Sequence, residues 1–192
     1  MGREKRVFIV HGWGGYPEEG WFPWLKDELE KRNFKVQVPR MPNPDEPKIK
    51  DWVGYLEEVV SEADEKTYFV GHSIGCQTIM RYLEQLSKGF KVGGVVFVAG
   101  WFTLKNLANE REWQIARIWL ETPINTEKVK KLTVNFVAIF SDDDPVVPVD
   151  NKEMFETRLE AKTTVEENKG HFSGDDNITE LPSVLESLLS FK

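Results

Sequence analysis

One short segment of the sequence has the residue types and spacing of a catalytic nucleophile. Residues 71–75 read Gly-His-Ser-Ile-Gly, which matches the pattern Gly-x-Ser-x-Gly with Ser73 at its centre. The pattern requires a strand, a tight turn and a helix, because a sharp turn holds the serine in a strained conformation and the glycines let strand and helix approach closely. The apolar residues 67–70 predict a buried strand, and the apolar spacing within 76–86 predicts a helix. Ser73 is therefore a candidate nucleophile.

A serine hydroxyl is a weak nucleophile and needs a base, for which the sequence offers three histidines. His72 is adjacent to the serine, where we expect its side chain to point away from the hydroxyl. His11 ends the first predicted strand and is expected to shape the loop that follows. By elimination, the candidate base is His171, which lies in the Asn-Lys-Gly-His-Phe segment at 168–172.

The base in turn needs a carboxylate that fixes its tautomer and stabilises its charged form. The segment 141–148, Ser-Asp-Asp-Asp-Pro-Val-Val-Pro, follows the fifth predicted strand and supplies three aspartates. We favour Asp144, because Pro145 fixes the chain just after it, and Asp143 is the alternative. The same run could instead cap a turn or hold a divalent cation, although no His or Glu spacing completes a metal site. The chain order serine, aspartate, histidine is the one that hydrolases with this kind of elbow use.

A glycine-rich loop follows the strand predicted over residues 6–10. Its sequence at 11–15 is His-Gly-Trp-Gly-Gly, and a dinucleotide-binding fingerprint would need a glycine where Pro17 stands. The other use of a His-Gly loop at this place is an oxyanion hole, in which a loop N–H joins the N–H of the residue after the nucleophile. The sequence thus predicts that this loop lies beside Ser73.

Strands and helices alternate along the chain. Four prolines within 39–47 predict an ordered extended loop, and residues 100–131 have no clear periodicity. The predicted strands are 6–10, 34–38, 68–71, 92–99, 132–140 and a weaker 163–166, and the predicted helices are 21–31, 49–63, 76–86, 152–159 and 181–189. This alternation predicts an α/β fold, a three-layer sandwich in which a mostly parallel sheet of about six strands has helices on both faces. In such a sheet the functional loops share the edge at the carboxyl ends of the strands.

Length and composition set the class of protein. A chain of 192 residues with 40% hydrophobic residues predicts one packed domain over 1–192, with 100–131 as a possible small cap segment. The net charge of −7 argues against a nucleic-acid partner. The single cysteine, Cys76, excludes an internal disulfide and a Cys-based zinc site. No signal-peptide pattern and no membrane-spanning apolar run is present, so we expect a cytoplasmic protein without a membrane partner.

These residues resemble the α/β-hydrolase superfamily and, within it, the small serine hydrolases similar to retinoblastoma-binding protein 9. The resemblance extends along nearly the whole chain. It rests on Gly20-Trp21 with Trp24, Met41-Pro42 with Pro44, residues 64–67 leading into 71–73, Met80-Arg81-Tyr82, Asp143-Asp144-Pro145 and Gly170-His171-Phe172.

The resemblance implies a catalytic triad of Ser73, Asp144 and His171, with an oxyanion hole formed by the backbone N–H groups of Trp13 and Ile74. It implies a carboxylesterase-like serine hydrolase that cleaves a small ester or amide through an acyl-enzyme. No metal or organic cofactor is required for this chemistry.

The candidate substrate pocket consists of His11, Gly12, Trp21 and Trp101. The aromatic side chains near the site, Trp13, Trp21 and Trp101, favour an apolar or aromatic acyl group. The alternative function is a protein-binding module on a hydrolase fold with little or no turnover. The name of the relative records a protein partner, but no feature of this sequence supports one.

Overall fold

The chain alternates strands and helices, and all six predicted strands and all five predicted helices are present. In the computed structural model, which describes residues 4–191, the elements are β1 (Lys5–Val10), α1 (Phe22–Glu30), β2 (Phe34–Gln37), α2 (Ile49–Val60), β3 (Thr67–His72), α3 (Ile74–Gln85), β4 (Gly94–Val98), α4 (Glu110–Glu121), α5 (Thr126–Val129), β5 (Phe136–Ser141), α6 (Asn151–Leu159), β6 (Lys162–Glu166) and α7 (Pro182–Ser190). Residues 1–3 and 192, which the predicted domain includes, lie outside the described residues.

All six strands form one parallel sheet in the order β2-β1-β3-β4-β5-β6. Every residue of β3, β4 and β5 is buried, as expected for strands with helices on both faces. The helices form two groups, since α1 contacts α7, whereas α2 contacts α3, and α5 contacts both α3 and α6. The predicted three-layer α/β class is confirmed.

The order of the strands creates a crevice beside β1. The chain leaves β1 for β2 on one side and returns to β3 on the other, so the loops after β1 and β3 diverge at the carboxyl edge of the sheet. In the register, Val10 pairs with Gly71 and His72 pairs with Val98. The His11 loop and Ser73 are therefore neighbours at this crevice.

Two elements differ from their predicted bounds by three residues or more. The helix predicted to reach residue 63 ends at Val60, because Ser61 takes a left-handed φ of 60°. The strand predicted from residue 132 begins at Phe136, after an irregular segment in which the Asn135 side-chain amide donates to the Gly93 carbonyl at 2.7 Å.

The expectation of an irregular segment at 100–131 is wrong, because α4 and α5 lie within it. The helix α4 is largely exposed, since only Ala116 and Trp119 are buried on it. A capping signal precedes it instead. The Asn109 side chain accepts from the Glu112 N–H at 3.0 Å, and Glu112 Oε2 accepts from the Ala108 N–H at 2.8 Å. This reciprocal pattern, readable as Asn-x-x-Glu, starts the helix.

The proline-rich segment 39–47 is an ordered extended loop, as predicted, and other elements bind its backbone. Four of its carbonyl groups accept hydrogen bonds from outside the segment: Pro42 from Trp52 Nε1, Pro44 from the Gly14 N–H, Asp45 from Trp13 Nε1 and Pro47 from Trp119 Nε1. Three tryptophan indoles thus satisfy acceptors that the prolines prevent from pairing in regular structure. The contacts with Trp13 and Gly14 fix the glycine-rich loop.

The turn between β3 and α3 depends on two glycines. A β-carbon at Gly75 would overlap the Val10 carbonyl oxygen and lie 2.8 Å from the His11 carbonyl oxygen. A β-carbon at Gly71 would lie 2.8 Å from the Cys76 amide nitrogen. The first turn of α3 therefore packs directly on the end of β1, at a separation that only glycine allows.

Replacing Gly75 with alanine should lower the free energy of unfolding by about 2–3 kcal/mol, because the new methyl group overlaps backbone that cannot move freely. Gly54 provides the matched control. It is exposed on α2 with no atom within 4 Å of an added β-carbon, so Gly54→Ala should raise the free energy of unfolding by about 1 kcal/mol. Urea unfolding of the two variants and the wild type measures both values. A Gly75→Ala protein as stable as the wild type would contradict the close approach.

Candidate active site

Ser73 has a strained backbone at the start of α3. Its φ of 52° and ψ of −120° are sparsely populated for any residue other than glycine, and such a conformation costs about 1–3 kcal/mol. The Ser73 N–H donates to the Val98 carbonyl at 2.9 Å, and only 8% of the residue is exposed. The end of β4 and the flanking glycines thus hold the serine in the conformation that the sequence pattern predicts.

Ser73 lines a cavity of about 570 Å³ at the carboxyl ends of β1 and β3. The other walls come from residues within 12–19, from His72 and from residues within 171–175. Two surface cavities of about 610 Å³ and 580 Å³ lie elsewhere, but neither is lined by a predicted site residue. The cavity at Ser73 is therefore the candidate active site.

His171 lines the same cavity and contacts a buried carboxylate. Its Nδ1 lies 2.8 Å from Oδ2 of Asp144, of which 3% is exposed. The other carboxylate oxygen, Oδ1, accepts from the N–H groups of Val146 and Val147 at 2.9 Å and 2.8 Å. With these donors Asp144 is an acceptor only, so His171 donates from Nδ1 and, when neutral, keeps the lone pair on Nε2. This is the tautomer that a general base requires.

The neighbouring aspartate has a different partner. Asp143 Oδ1 accepts from the Ser141 hydroxyl at 2.6 Å and from the Gly170 N–H at 2.8 Å. The Ser141 hydroxyl, and secondarily the Gly170 N–H, hold the pKa of Asp143 below its usual value. Of the two carboxylates that the sequence left open, Asp144 is therefore the one that contacts the imidazole, and Asp143 contacts the backbone before it.

The whole acidic run binds the segment that carries His171. Three consecutive N–H groups donate to three consecutive side chains: Asn168 to Asp142 Oδ1 at 2.9 Å, Lys169 to Ser141 Oγ at 3.1 Å and Gly170 to Asp143 Oδ1 at 2.8 Å. The acidic run thus fixes one side of His171.

Within residues 4–191, no group of three His, Cys, Asp or Glu side chains is placed to hold a metal ion.

Two buried aromatic side chains fix the other side. His72 Nε2 donates to the His171 carbonyl at 2.7 Å, and Trp21 Nε1 donates to the Phe172 carbonyl at 3.0 Å. The His171 N–H donates to Asp176 Oδ2 at 3.0 Å. These contacts hold a strained segment, since Phe172 has a φ of 57°. Sequence reasoning gave His72 and Trp21 no such role.

His72 is neutral in the folded protein. Burial, and secondarily the nearby His171, lowers the pKa of His72 from its usual 6.5 to about 3. Since Nε2 donates to a carbonyl group, the neutral ring has its lone pair on Nδ1, which is buried without a partner. The unfolded chain binds a proton on this residue at a higher pH than the folded chain does.

Stability should therefore fall as the pH falls from about 6.5 towards 3, because the unfolded state binds more protons. Between pH 7 and pH 4.5 this residue should account for about 2–3 kcal/mol of lost stability. Urea unfolding of wild type and His72→Gln at both pH values tests this, because the difference between the two pH values cancels any loss common to both. Equal pH dependence in the two proteins would contradict the assignment.

Of the two predicted oxyanion donors, Trp13 lines the cavity and Ile74 directly follows Ser73. Ile74 is the first residue of α3, so its N–H has no acceptor within the helix. The N–H groups of Gly14 and Gly15 donate to the Pro44 and Gly12 carbonyl groups, whereas the Trp13 N–H has no hydrogen-bond partner within residues 4–191. The start of α3 also favours a negative charge through its dipole. Two backbone donors are thus available beside Ser73.

Of the four predicted pocket residues, Gly12 lines the cavity and the other three do not. His11 is fully buried, donates from Nδ1 to the Gly12 carbonyl at 2.8 Å and accepts the Met41 N–H on Nε2 at 3.0 Å. Trp21 is buried against the His72 ring, with 6.3 Å between the ring centroids, and Trp101 is buried beside Gln77, which donates to its carbonyl group. Their aromatic rings pack in the core rather than face a ligand.

Besides the predicted Trp13, Ser73 and His171, the cavity has four polar or aromatic lining residues that sequence reasoning did not identify. These are Tyr16, Glu19, Ser173 and Asp175. They lie within a few residues of the glycine-rich loop and of His171, so their position along the chain was the available signal.

The strand order, the elbow serine after β3 and the paired histidine and aspartate after β6 and β5 define an α/β hydrolase. The model of the serine hydrolase family matches residues 7–190, and the chain belongs to this family.

Relatives are similar over their full length. The chain is 31% identical to the hydrolase YdeN of Bacillus subtilis (strain 168) over 187 residues, which cover 97% of this chain and 96% of that one. It is 29% identical to the serine hydrolase RBBP9 of Rattus norvegicus, over 99% and 98% of the two chains. The crystal structure of the B. subtilis ydeN gene product superposes with a TM-score of 0.88, at 30% identity and 97% coverage of both chains. The structure of Est1E from Butyrivibrio proteoclasticus shares the fold at 15% identity, with a TM-score of 0.72 over 97% of this chain and 86% of that one.

A membrane-spanning helix would have to be longer and more apolar than any of the helices within residues 4–191.

Proposed function

We propose that this protein hydrolyses a small carboxylic ester or amide through a triad of Ser73, His171 and Asp144. The observation that carries the proposal is the 2.8 Å contact between His171 Nδ1 and the buried Asp144 carboxylate, in a cavity that Ser73 also lines. Membership of the serine hydrolase family supports the same chemistry.

In the proposed reaction, His171 Nε2 takes the proton of the Ser73 hydroxyl as Oγ attacks the substrate carbonyl carbon. The imidazolium that forms is stabilised by Asp144, which stays ionised. His171 then gives the proton to the departing alcohol or amine, which leaves an acyl group on Ser73. Water attacks the acyl-enzyme with His171 again as the base, and the acid product and free serine are released.

The N–H groups of Trp13 and Ile74 are proposed to bind the oxyanion of the tetrahedral intermediate. A donor of this kind contributes about 3–4 kcal/mol to transition-state stabilisation. Their availability supports the assignment, as does the way Asp45 and Pro44 bind the Trp13 side chain and the Gly14 backbone. The loop enters the reaction already in place, which avoids the cost of ordering it.

The size of the cavity suits a small ester of the kind that carboxylesterases cleave. The cavity volume of about 570 Å³ is in the range of small-molecule sites. No residue from 100–131 is among those that line it, so the site is formed without that segment.

A fluorophosphonate probe tests the nucleophile, since it reacts with an activated serine. We expect the wild type to be labelled and Ser73→Ala to be unlabelled, with peptide mapping placing the adduct at residue 73. Ser87, which is exposed at the end of α3, gives the matched control, because Ser87→Ala should label as the wild type does. Folded wild-type protein that remains unlabelled would reject the enzyme and favour a binding module on this fold.

The two aspartates should differ in their effect on turnover. Asp144→Asn should reduce kcat for a p-nitrophenyl ester by about 10⁴-fold, because the amide no longer imposes the reactive tautomer of His171. Asp143→Asn keeps an oxygen that can accept the Gly170 N–H, so its loss should stay within about tenfold. Equal losses in the two variants, measured on proteins with the same unfolding midpoint, would remove the support for Asp144.

A further inference from the structure

The candidate active-site cavity has acceptor groups that no donor satisfies. Within residues 4–191, the buried side-chain polar atoms without a hydrogen-bond partner are Glu19 Oε2, His72 Nδ1, Arg81 Nε and Ser183 Oγ. The first two belong to residues that line this one cavity, and neutral His72 offers Nδ1 as an acceptor. Buried polar atoms are nearly always paired in folded proteins. The unpaired Glu19 oxygen belongs to a carboxylate of the cavity lining, so the charge of this wall favours a ligand that brings a positive charge.

Glu19 is positioned by the two loops that form the cavity. A β-carbon at Gly15 would lie 2.7 Å from Glu19 Oε2, and one at Gly174 would lie 3.4 Å from Glu19 Cγ. Gly15 belongs to the loop after β1, and Gly174 follows His171. The glutamate side chain therefore occupies room that two glycines leave open, one on each side of the crevice.

His72 Nδ1 is buried against the backbone of Gly12. A β-carbon at Gly12 would lie 2.9 Å from this nitrogen, and Gly12 itself lines the cavity. Burial keeps the ring neutral, as described above. His72 therefore adds no positive charge to the wall next to Ser73.

The remaining polar and aromatic groups of the cavity match the same kind of ligand. No lysine or arginine is among the described residues that line it, whereas Asp175 adds a second carboxylate at an exposed position. Trp13 and the 46% exposed Tyr16 present aromatic rings, which attract cations through their electron-rich faces. A substrate with its own carboxylate or phosphate would face two like charges and no cation.

We propose that the ester or amide cleaved here carries a protonated amine, which pairs with the Glu19 carboxylate while Ser73 attacks the carbonyl. This inference rests on the proposed hydrolase function. It assigns Glu19 as the specificity-determining residue, with Tyr16 and Trp13 beside the ammonium group.

Two pairs of esters of equal size separate charge from shape. In the acyl pair, p-nitrophenyl 6-aminohexanoate is compared with p-nitrophenyl heptanoate, which has a methyl group in place of the ammonium. In the alcohol pair, 6-aminohexyl butanoate is compared with heptyl butanoate. We expect kcat/KM for the ammonium ester to exceed that for its methyl counterpart by about tenfold or more in at least one pair, because a hydrogen bond to a charged partner has that effect.

Glu19→Gln should reduce this preference by about tenfold, since the amide keeps the size of the side chain and removes its charge. Glu18→Gln is the matched control. Glu18 is the adjacent residue, is exposed, pairs with Arg40 at 2.8 Å and does not line this cavity, so both rates should match the wild type. The preference should also decrease with added salt in the wild type.

A wild-type ratio of one or below in both pairs would overturn the proposal, as would an equal fall for both esters in a folded Glu19→Gln protein. If Glu19→Gln does not fold, the wild-type ratio and its salt dependence decide alone. The outcome is distinct from failure of the proposed function, in which the wild type hydrolyses none of the four esters or Ser73→Ala still does.

Discussion

The close packing of α3 on the end of β1 is the constraint on which the rest of the site depends. Gly75 brings the first turn of α3 against the Val10 and His11 carbonyl groups, and Gly71 admits the Cys76 backbone on the other side of the turn. Between these two glycines the backbone turns sharply, and Ser73 has a positive φ of 52°. One steric arrangement therefore places the serine, the free N–H of Ile74 and the loop after β1 at a common point.

The second requirement is the position of His171, which lies on an irregular segment between β6 and α7. The side chains of 141–143 accept hydrogen bonds from the backbone N–H groups that precede His171. His72, Trp21 and Asp176 bind the backbone at His171 and after it. Such a segment has few apolar contacts of its own, so polar contacts must supply its order. This explains why three acidic residues follow β5 when the imidazole contacts only one carboxylate.

The parts of the fold that could be predicted are those with a strong local signal. The buried strands are continuous apolar runs, and the elbow follows from glycine sterics, so both were evident in the sequence. The helix α4 is harder to predict because only two of its residues are buried, although the Asn109 and Glu112 pair marks its start. The pocket was assigned to Trp21 and Trp101 because aromatic residues near a site attract a ligand interpretation. Their burial depends on tertiary packing that spacing along the chain does not report.

The arrangement of donors and acceptors around Ser73 separates charge in the proposed reaction. The proposed donors to the oxyanion are the N–H group of Ile74, at the positive end of α3, and that of Trp13, in the loop after β1. The acceptors lie on the other walls, with Asp144 behind His171 and Glu19 and Asp175 within the loops of the cavity. Positive charge on the imidazolium is therefore stabilised on one side while negative charge on the carbonyl oxygen is stabilised on the other. The His72 ring lies 5.0 Å from the His171 ring and is neutral, so it adds no third charge to the site. A protonated ring there would repel the imidazolium that the proposed acyl transfer requires.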